Sequence, residues 1–406
     1  MTGRERILAA LNHKETDRVP IDLGGTESTG VTWKAYNKLK YHFGINEDTF
    51  VFDLSQLIAK VNFKIAESVG SDAIPLLFEP LAWKDWEPEE GVHVKIPAKV
   101  NIRKLPNGDT VILQDSSANK PEIVLSRLPK GGFYFDNVYY PLKDINEISG
   151  IKRFRDIFAS FDLPGYYDEG FERLSKRAKM LHSKTDFAII ANLWVHLLAA
   201  GQSYRGFEDF MMDLVLNKKL AHKILSMQVE AYMKRIDRYI AAAGDHIDVV
   251  QVNDDLGTQN GPQLSIELFR EMLKPYYKKL WLYIKEKSAK PILFHSCGSV
   301  YDFIGDLIEC GIDALNPVQV SAKNMETSKL KKEFGKYITF WGGGCDTQKI
   351  LPYGTPGQVR DEVRKRVKDL SGGGGFVFCQ VHNIQPDVPL ENILAMYDEL
   401  GALPGN

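Results

Sequence analysis

The chain has 406 residues, 44% of them hydrophobic and 26% charged, with a formal net charge of −2. Those values exclude a disordered chain, and the lack of a long Lys/Arg block excludes nucleic acid as the main partner. The longest mostly apolar run, residues 188–201, is broken by Asn192 and His196 and falls short of the roughly 20 residues that a membrane span needs.

The N-terminal stretch MTGRERILAALNHKE sets Ile7, Leu8 and Leu11 at helical spacing without an unbroken apolar segment. It predicts an amphipathic helix rather than a signal peptide, and hence a cytoplasmic protein. RVPIDLGGT (18–26) predicts a first buried strand and SDAIPLLF (71–78) a second. Residues 92–135 depart from this pattern, because HVKIPAKVNIRKLPNGDTVILQD alternates apolar and polar residues around Asn107-Gly108-Asp109. That alternation predicts an antiparallel β-hairpin insertion.

From residue 186 the chain repeats one unit. Apolar runs at 186–193, 246–254, 290–297, 313–319, 337–344 and 375–383 are rich in Val, Ile and Phe and lack polar alternation, as strands covered on both faces do. Amphipathic segments at 206–243, 265–288, 299–309, 324–334 and 355–370 separate them. The expected fold class is α/β: a single (β/α)8 TIM barrel over residues 1–406, with N-terminal helices and the β-rich insertion at about 92–135.

In such barrels the reactive residues lie where strands end. The ends read Glu27, Asn192, Asp254 with Asp255, His295 with Cys297, Asn316, Cys345 with Asp346, and His382 with Asn383. Side chains at i and i+2 of a strand share a face, so His295 and Cys297 can reach one ion while Ser296 points away. Imidazole nitrogen with thiolate sulfur suits zinc, and a catalytic zinc keeps three protein ligands and one open position. His382 and Cys345 are the expected companions, with Asp254 as a further ligand or a general base and Asp346 as a proton donor. Cys379, inside an apolar run, and Cys310, on a helical pattern, read as packing. The glycine run 372–375 precedes a strand instead of opening a helix, so it lacks the helix N-terminus that would make it a phosphate cradle.

Four blocks, TGRERILAALNHKETDRVPIDLGG, LSIELFREMLKPYYKKL, PILFHSCGSV and HNIQPDVPLENILAM, resemble the uroporphyrinogen decarboxylase superfamily from residue 1 to about 400. The resemblance implies a single (β/α)8 barrel and one of two chemistries. Uroporphyrinogen decarboxylases are metal-free and hold substrate carboxylates with N-terminal arginines; the equivalent DLGGTESTGVTWKAYNKL carries none. The other branch comprises zinc-dependent methyltransferases that exchange a methyl group with a corrinoid (cobalamin) protein, marked by H-x-C and a later cysteine. His295 and Cys297 match the first part of that mark, and His382 stands where the later cysteine belongs. The resemblance therefore implies zinc on His295, Cys297 and His382, completed by Asp254 or Cys345, and a corrinoid as methyl carrier on a separate protein. The small substrate would be a methyl ether, as in O-demethylation, or a thiol. The alternatives are a metal-free decarboxylase, with Asp254 or Asp346 protonating the product carbanion, and a non-catalytic binding protein on the same barrel.

Overall fold

A computed structural model of the chain describes residues 1–114, 122–153 and 168–403. Its central feature is one parallel sheet of seven short strands taken in chain order: β1 (Ala73–Pro75), β2 (Ala188–Asn192), β3 (Val249–Asn253), β4 (Ile292–His295), β5 (Ala314–Asn316), β6 (Thr339–Trp341) and β7 (Phe376–Val377). The sheet curls until residues 20–22 close it. Phe378 N donates to Pro20 O at 2.8 Å, Asp22 N donates to Phe378 O at 2.9 Å, and Asp72 N donates to Ile21 O at 2.6 Å. The expected first strand at 18–26 is thus a brief extended stretch, ended when the Asp22 carboxylate accepts from Gly25 N at 2.7 Å and turns the chain.

Strand parity separates two cores. Along β4, Ile292 and Phe294 face outward and pack with the surrounding helices, whereas Leu293 faces inward. The lumen is filled by Ala73, Ala188, Ile190, Val249, Leu293, Ala314, Trp341, Val377 and Cys379. Helix α1 (Gly3–Leu11) closes its floor with Ile7, Ala10 and Leu11. Thr2 and Glu5 form a capping box at the start of that helix, meeting N–H groups that its first turn leaves without partners.

Two of the expected long helices are broken. The 206–243 pattern divides at Asn217 into Phe207–Leu216 and Lys218–Ala243. The 265–288 pattern divides at Leu273 into Ile266–Met272 and α3 (Lys274–Ser288), because Pro275 lacks an N–H and is favoured in a first helical turn. The antiparallel insertion begins at Trp83, with the hairpin Trp83–Glu89 and Val92–Pro97. It continues as a four-stranded sheet in which Asn101–Lys104 pairs with Thr110–Leu113 around the Asn107-Gly108-Asp109 turn. Asp109 holds that turn by accepting from Asn107 Nδ2 and Lys130 N, both at 2.8 Å. Residues 115–121 of the expected insertion lie outside the described residues. Among the described residues, no helix is long and apolar enough to cross a membrane.

Candidate metal site at the barrel mouth

His295 ends β4 in phase with Leu293, so its ring rises from the lumen into a cavity of about 610 Å³ at the C-terminal ends of the strands. Cys297 follows on the same face, and its Sγ lies 3.5 Å from His295 Nε2. His382, from the loop after β7, completes a trio whose donor atoms all lie within 4.8 Å of one another. Tetrahedral zinc with bonds of about 2.0 to 2.3 Å sets its donors about 3.5 Å apart. The spacing and the donor set fit that ion.

The protonation of His295 follows from its neighbours. Asn316 Nδ2 donates to Trp341 O at 2.9 Å, which turns Asn316 Oδ1 toward His295 Nδ1 at 2.6 Å. The same oxygen accepts from Ser28 Oγ at 2.8 Å. An oxygen at that position only accepts, so the ring proton sits on Nδ1 and the Nε2 lone pair faces Cys297. Metal-binding histidines depend on this kind of partner to fix their tautomer. Burial holds His382 neutral, pulling its pKa down to about 4, with His295 adding to the shift. Burial and then Asp255 push the Cys297 thiol well above its ordinary range. A bound divalent cation would supply the positive charge that this thiol needs in order to ionise.

Two loops hold the trio in place where their backbones cross. A Cβ at Gly298, whose φ is +83°, would lie 2.4 Å from the Gly257 carbonyl carbon, and one at Gly257 would lie 2.6 Å from Cys297 O. Only glycine lets the loops after β3 and β4 approach this closely. Cys297 N donates to Asp255 Oδ1 at 2.9 Å and Gly298 N donates to Gln319 Oε1 at 2.8 Å.

The carboxylate facing the trio is Asp255, not Asp254. Its Oδ1 is 3.8 Å from His295 Nε2. On β3, Val250 and Val252 face outward while Gln251 and Asn253 face the lumen; just past the strand Asp255 keeps the lumen phase, and Asp254, though at the cavity edge, turns its carboxylate toward the helices. Asp254 is 1% exposed, and its carboxylate accepts from Leu197 N, Leu198 N and Ala199 N at 2.6 to 2.8 Å and from Tyr277 Oη at 2.5 Å. It caps helix α2 (Leu198–Arg205) from another strand and ties it to α3. Burial raises its pKa to about 6. Asp346 is likewise engaged with backbone, accepting from Gln348 N at 2.8 Å, and the cavity is lined by its successors Thr347 and Gln348. Cys345 lies in the outer core between strands and helices, where burial pushes its thiol up, and it is not part of the trio. Cys379 fills the lumen and Cys310 packs on a helix, as their contexts suggest.

Glu27 lines the same cavity from the loop after residues 20–22. Its Oε2 accepts from Asn192 Nδ2 at 2.6 Å, and burial, then the charge of Asp53, raises its pKa to about 7. The sequence marks it as a strand-end residue, but only barrel closure shows which residues it faces. The roof comes from farther away: Asn383 Nδ2 donates to Gln56 Oε1 at 2.7 Å, and Gln385 Nε2 donates to Tyr134 Oη of the insertion at 2.8 Å.

A family model described as uroporphyrinogen decarboxylase (URO-D) matches residues 194–402. A methylcobamide:CoM methyltransferase MtaA from Methanosarcina barkeri is 24% identical over 189 residues, which is 47% of this chain and 51% of the relative. A uroporphyrinogen decarboxylase from Actinobacillus succinogenes is 21% identical over 199 residues, 48% of this chain and 52% of the relative. The chain thus spans about half the length of the curated relatives it matches. A methyltransferase from Methanosarcina mazei has the same fold, with a TM-score of 0.57 at 17% identity over 99% of this chain and 98% of that one. Because the matched region covers more than half of the residues and includes β3 to β7 with all three members of the trio, the chain belongs to the uroporphyrinogen decarboxylase family.

Proposed function

We propose that the chain is a zinc-dependent methyltransferase that exchanges a methyl group between a small substrate and a corrinoid carried on a separate protein. His295 Nε2, Cys297 Sγ and His382 would hold the metal. The observation carrying this reading is the Asn316-fixed tautomer of His295, whose unprotonated nitrogen points at the neighbouring thiol. When bound, zinc supplies a Lewis acid that favours the thiolate form of a coordinated thiol or draws charge from an ether oxygen.

The protein's own groups account for the rest. Cys297 N–H fixes the Asp255 carboxylate beside the trio, where it offsets positive charge and can hold a proton leaving the substrate. Asp254 anchors the start of α2, keeping the loop with Trp194 and His196 against the cavity. Neither Asp254 nor Asp346 is assigned proton transfer, because backbone donors occupy their carboxylates.

The test is spectroscopic. The purified chain, given one equivalent of Zn²⁺, is mixed with cob(I)alamin and a panel of methyl ethers, and with methylcobalamin and a panel of thiols. Methylcobalamin should appear with at least one ether or be consumed with at least one thiol. No spectral change in either direction overturns the reading.

A further inference from the structure

The cavity that holds the metal trio is rich in acceptors and lacks cations. Among the described residues lining the cavity there is no lysine or arginine, whereas the acidic residues are Glu27, Asp255 and Asp254, the last with its carboxylate already bonded to backbone and Tyr277. Asp53 sits behind Glu27 and adds to the negative potential there. Arg235 donates to Trp194 O at 3.4 Å and does not line the cavity. His196, also on the wall, is held neutral by burial.

Three buried amide oxygens of residues that line this cavity, Gln251 Oε1, Asn253 Oδ1 and Gln385 Oε1, have no hydrogen-bond partner among the described residues. Gln251 is 1% exposed. A buried acceptor left without a donor is destabilising, so each of these positions favours a ligand that brings N–H or O–H groups. Glu27 is set among them by a built support. Asn192 Nδ2 donates to Glu27, and Asn192 Oδ1 accepts from Trp194 N at 2.7 Å. Trp194 has a φ of +51°, a left-handed conformation that a tryptophan adopts only when its surroundings hold it there.

We infer that the substrate taken up here is an uncharged, hydroxyl-bearing molecule whose hydroxyl groups donate to Glu27, Gln251 and Asn253 while its reacting heteroatom faces His295, Cys297 and His382. Molecules carrying a carboxylate, sulfonate or phosphate on that side are rejected. The orientation of the reacting atom rests on the proposed metal site; the charge preference rests on the wall alone. With zinc in place, the Cys297 thiolate and Asp255 balance its two positive charges, so the metal does not restore an attraction for anions.

Two matched pairs test this by titration calorimetry on the purified chain, with and without one equivalent of Zn²⁺: 4-methoxybenzyl alcohol against 4-methoxybenzoate, and 2-mercaptoethanol against 2-mercaptoethanesulfonate. The neutral member of at least one pair should bind about tenfold tighter or more. Glu27→Gln should bring that ratio to within about threefold by admitting the anion. The inference is overturned if the anion binds as well as the neutral partner in both pairs, if nothing binds up to about 10 mM, or if a Glu27→Gln variant with unchanged circular dichroism keeps the wild-type ratio. Calorimetry does not depend on methyl transfer: a neutral preference without a cobalt spectral change removes the proposed reaction and keeps this inference, and transfer with anions preferred does the reverse.

Discussion

The two faces of strand β3 differ by one residue in register and entirely in task. Val250, Val252 and Asp254 face the helices, and there even the charged member is structural, its carboxylate spent on three backbone N–H groups and Tyr277. Gln251, Asn253 and Asp255 face the lumen, where the first two carry partnerless buried acceptors and the third stands 3.8 Å from His295. The contrast shows that burial and a raised pKa do not by themselves mark a reacting group. Asp254 has both, and its bonds are complete.

The largest effect should separate the lumen trio from the cysteine of the outer core. Cys297→Ser should weaken zinc binding by more than about 100-fold, and Asn316→Ala, which frees the His295 tautomer, by about 10- to 100-fold. Cys345→Ala should keep one zinc per chain. Metal analysis and competition with a chromophoric chelator measure all three; zinc lost from Cys345→Ala with full retention in Cys297→Ser would reverse the assignment of the two faces.

The next effect sharpens the difference between adjacent aspartates. Asp254→Ala removes a helix cap and strands several buried donors, so urea unfolding should show a loss of about 3 to 4 kcal/mol with zinc stoichiometry unchanged. Asp255→Ala, at a half-exposed carboxylate, should cost less than about 1 kcal/mol. Equal losses from the two would mean that strand phase does not set their roles.

The last effect concerns Glu27, a buried carboxyl lining the same cavity, and is smaller than that of Asp254→Ala. Its pKa rises from 4.5 to about 7 on folding, so the native state holds the proton more tightly than the unfolded chain. Its contribution to stability is therefore full below pH 4.5 and is lost as the pH climbs to about 7. Glu27→Gln lacks this dependence, while Asp53, whose charge acts on Glu27, titrates in both proteins. The variant should gain on the wild type by roughly 2 to 3 kcal/mol between pH 4.5 and 8, at 1.36 kcal/mol per pKa unit. Urea midpoints at several pH values give the difference curve, and a flat curve would contradict the burial of this carboxyl.

Much of the barrel is legible in the linear chain because its causes are short-range. Apolar runs without alternation identify β2 to β7, the Asn107-Gly108 turn identifies the hairpin, and the i, i+2 spacing puts His295 and Cys297 on one face. The phase of Asp255 is also written there, since Gln251 and Asn253 alternate with Val250 and Val252, and it sets the two adjacent carboxylates on opposite sides of the chain. What the tertiary structure alone decides depends on barrel closure and on where loops go after their strands end. Closure brings His382 to a pair 85 residues earlier in the chain and sets Asn316 to orient the imidazole. It also brings Glu27 to the cavity that holds the trio and leaves Cys345 outside the trio. Local pattern constrains φ, ψ and burial, whereas the meeting of distant strand ends is set by the stagger of the whole sheet.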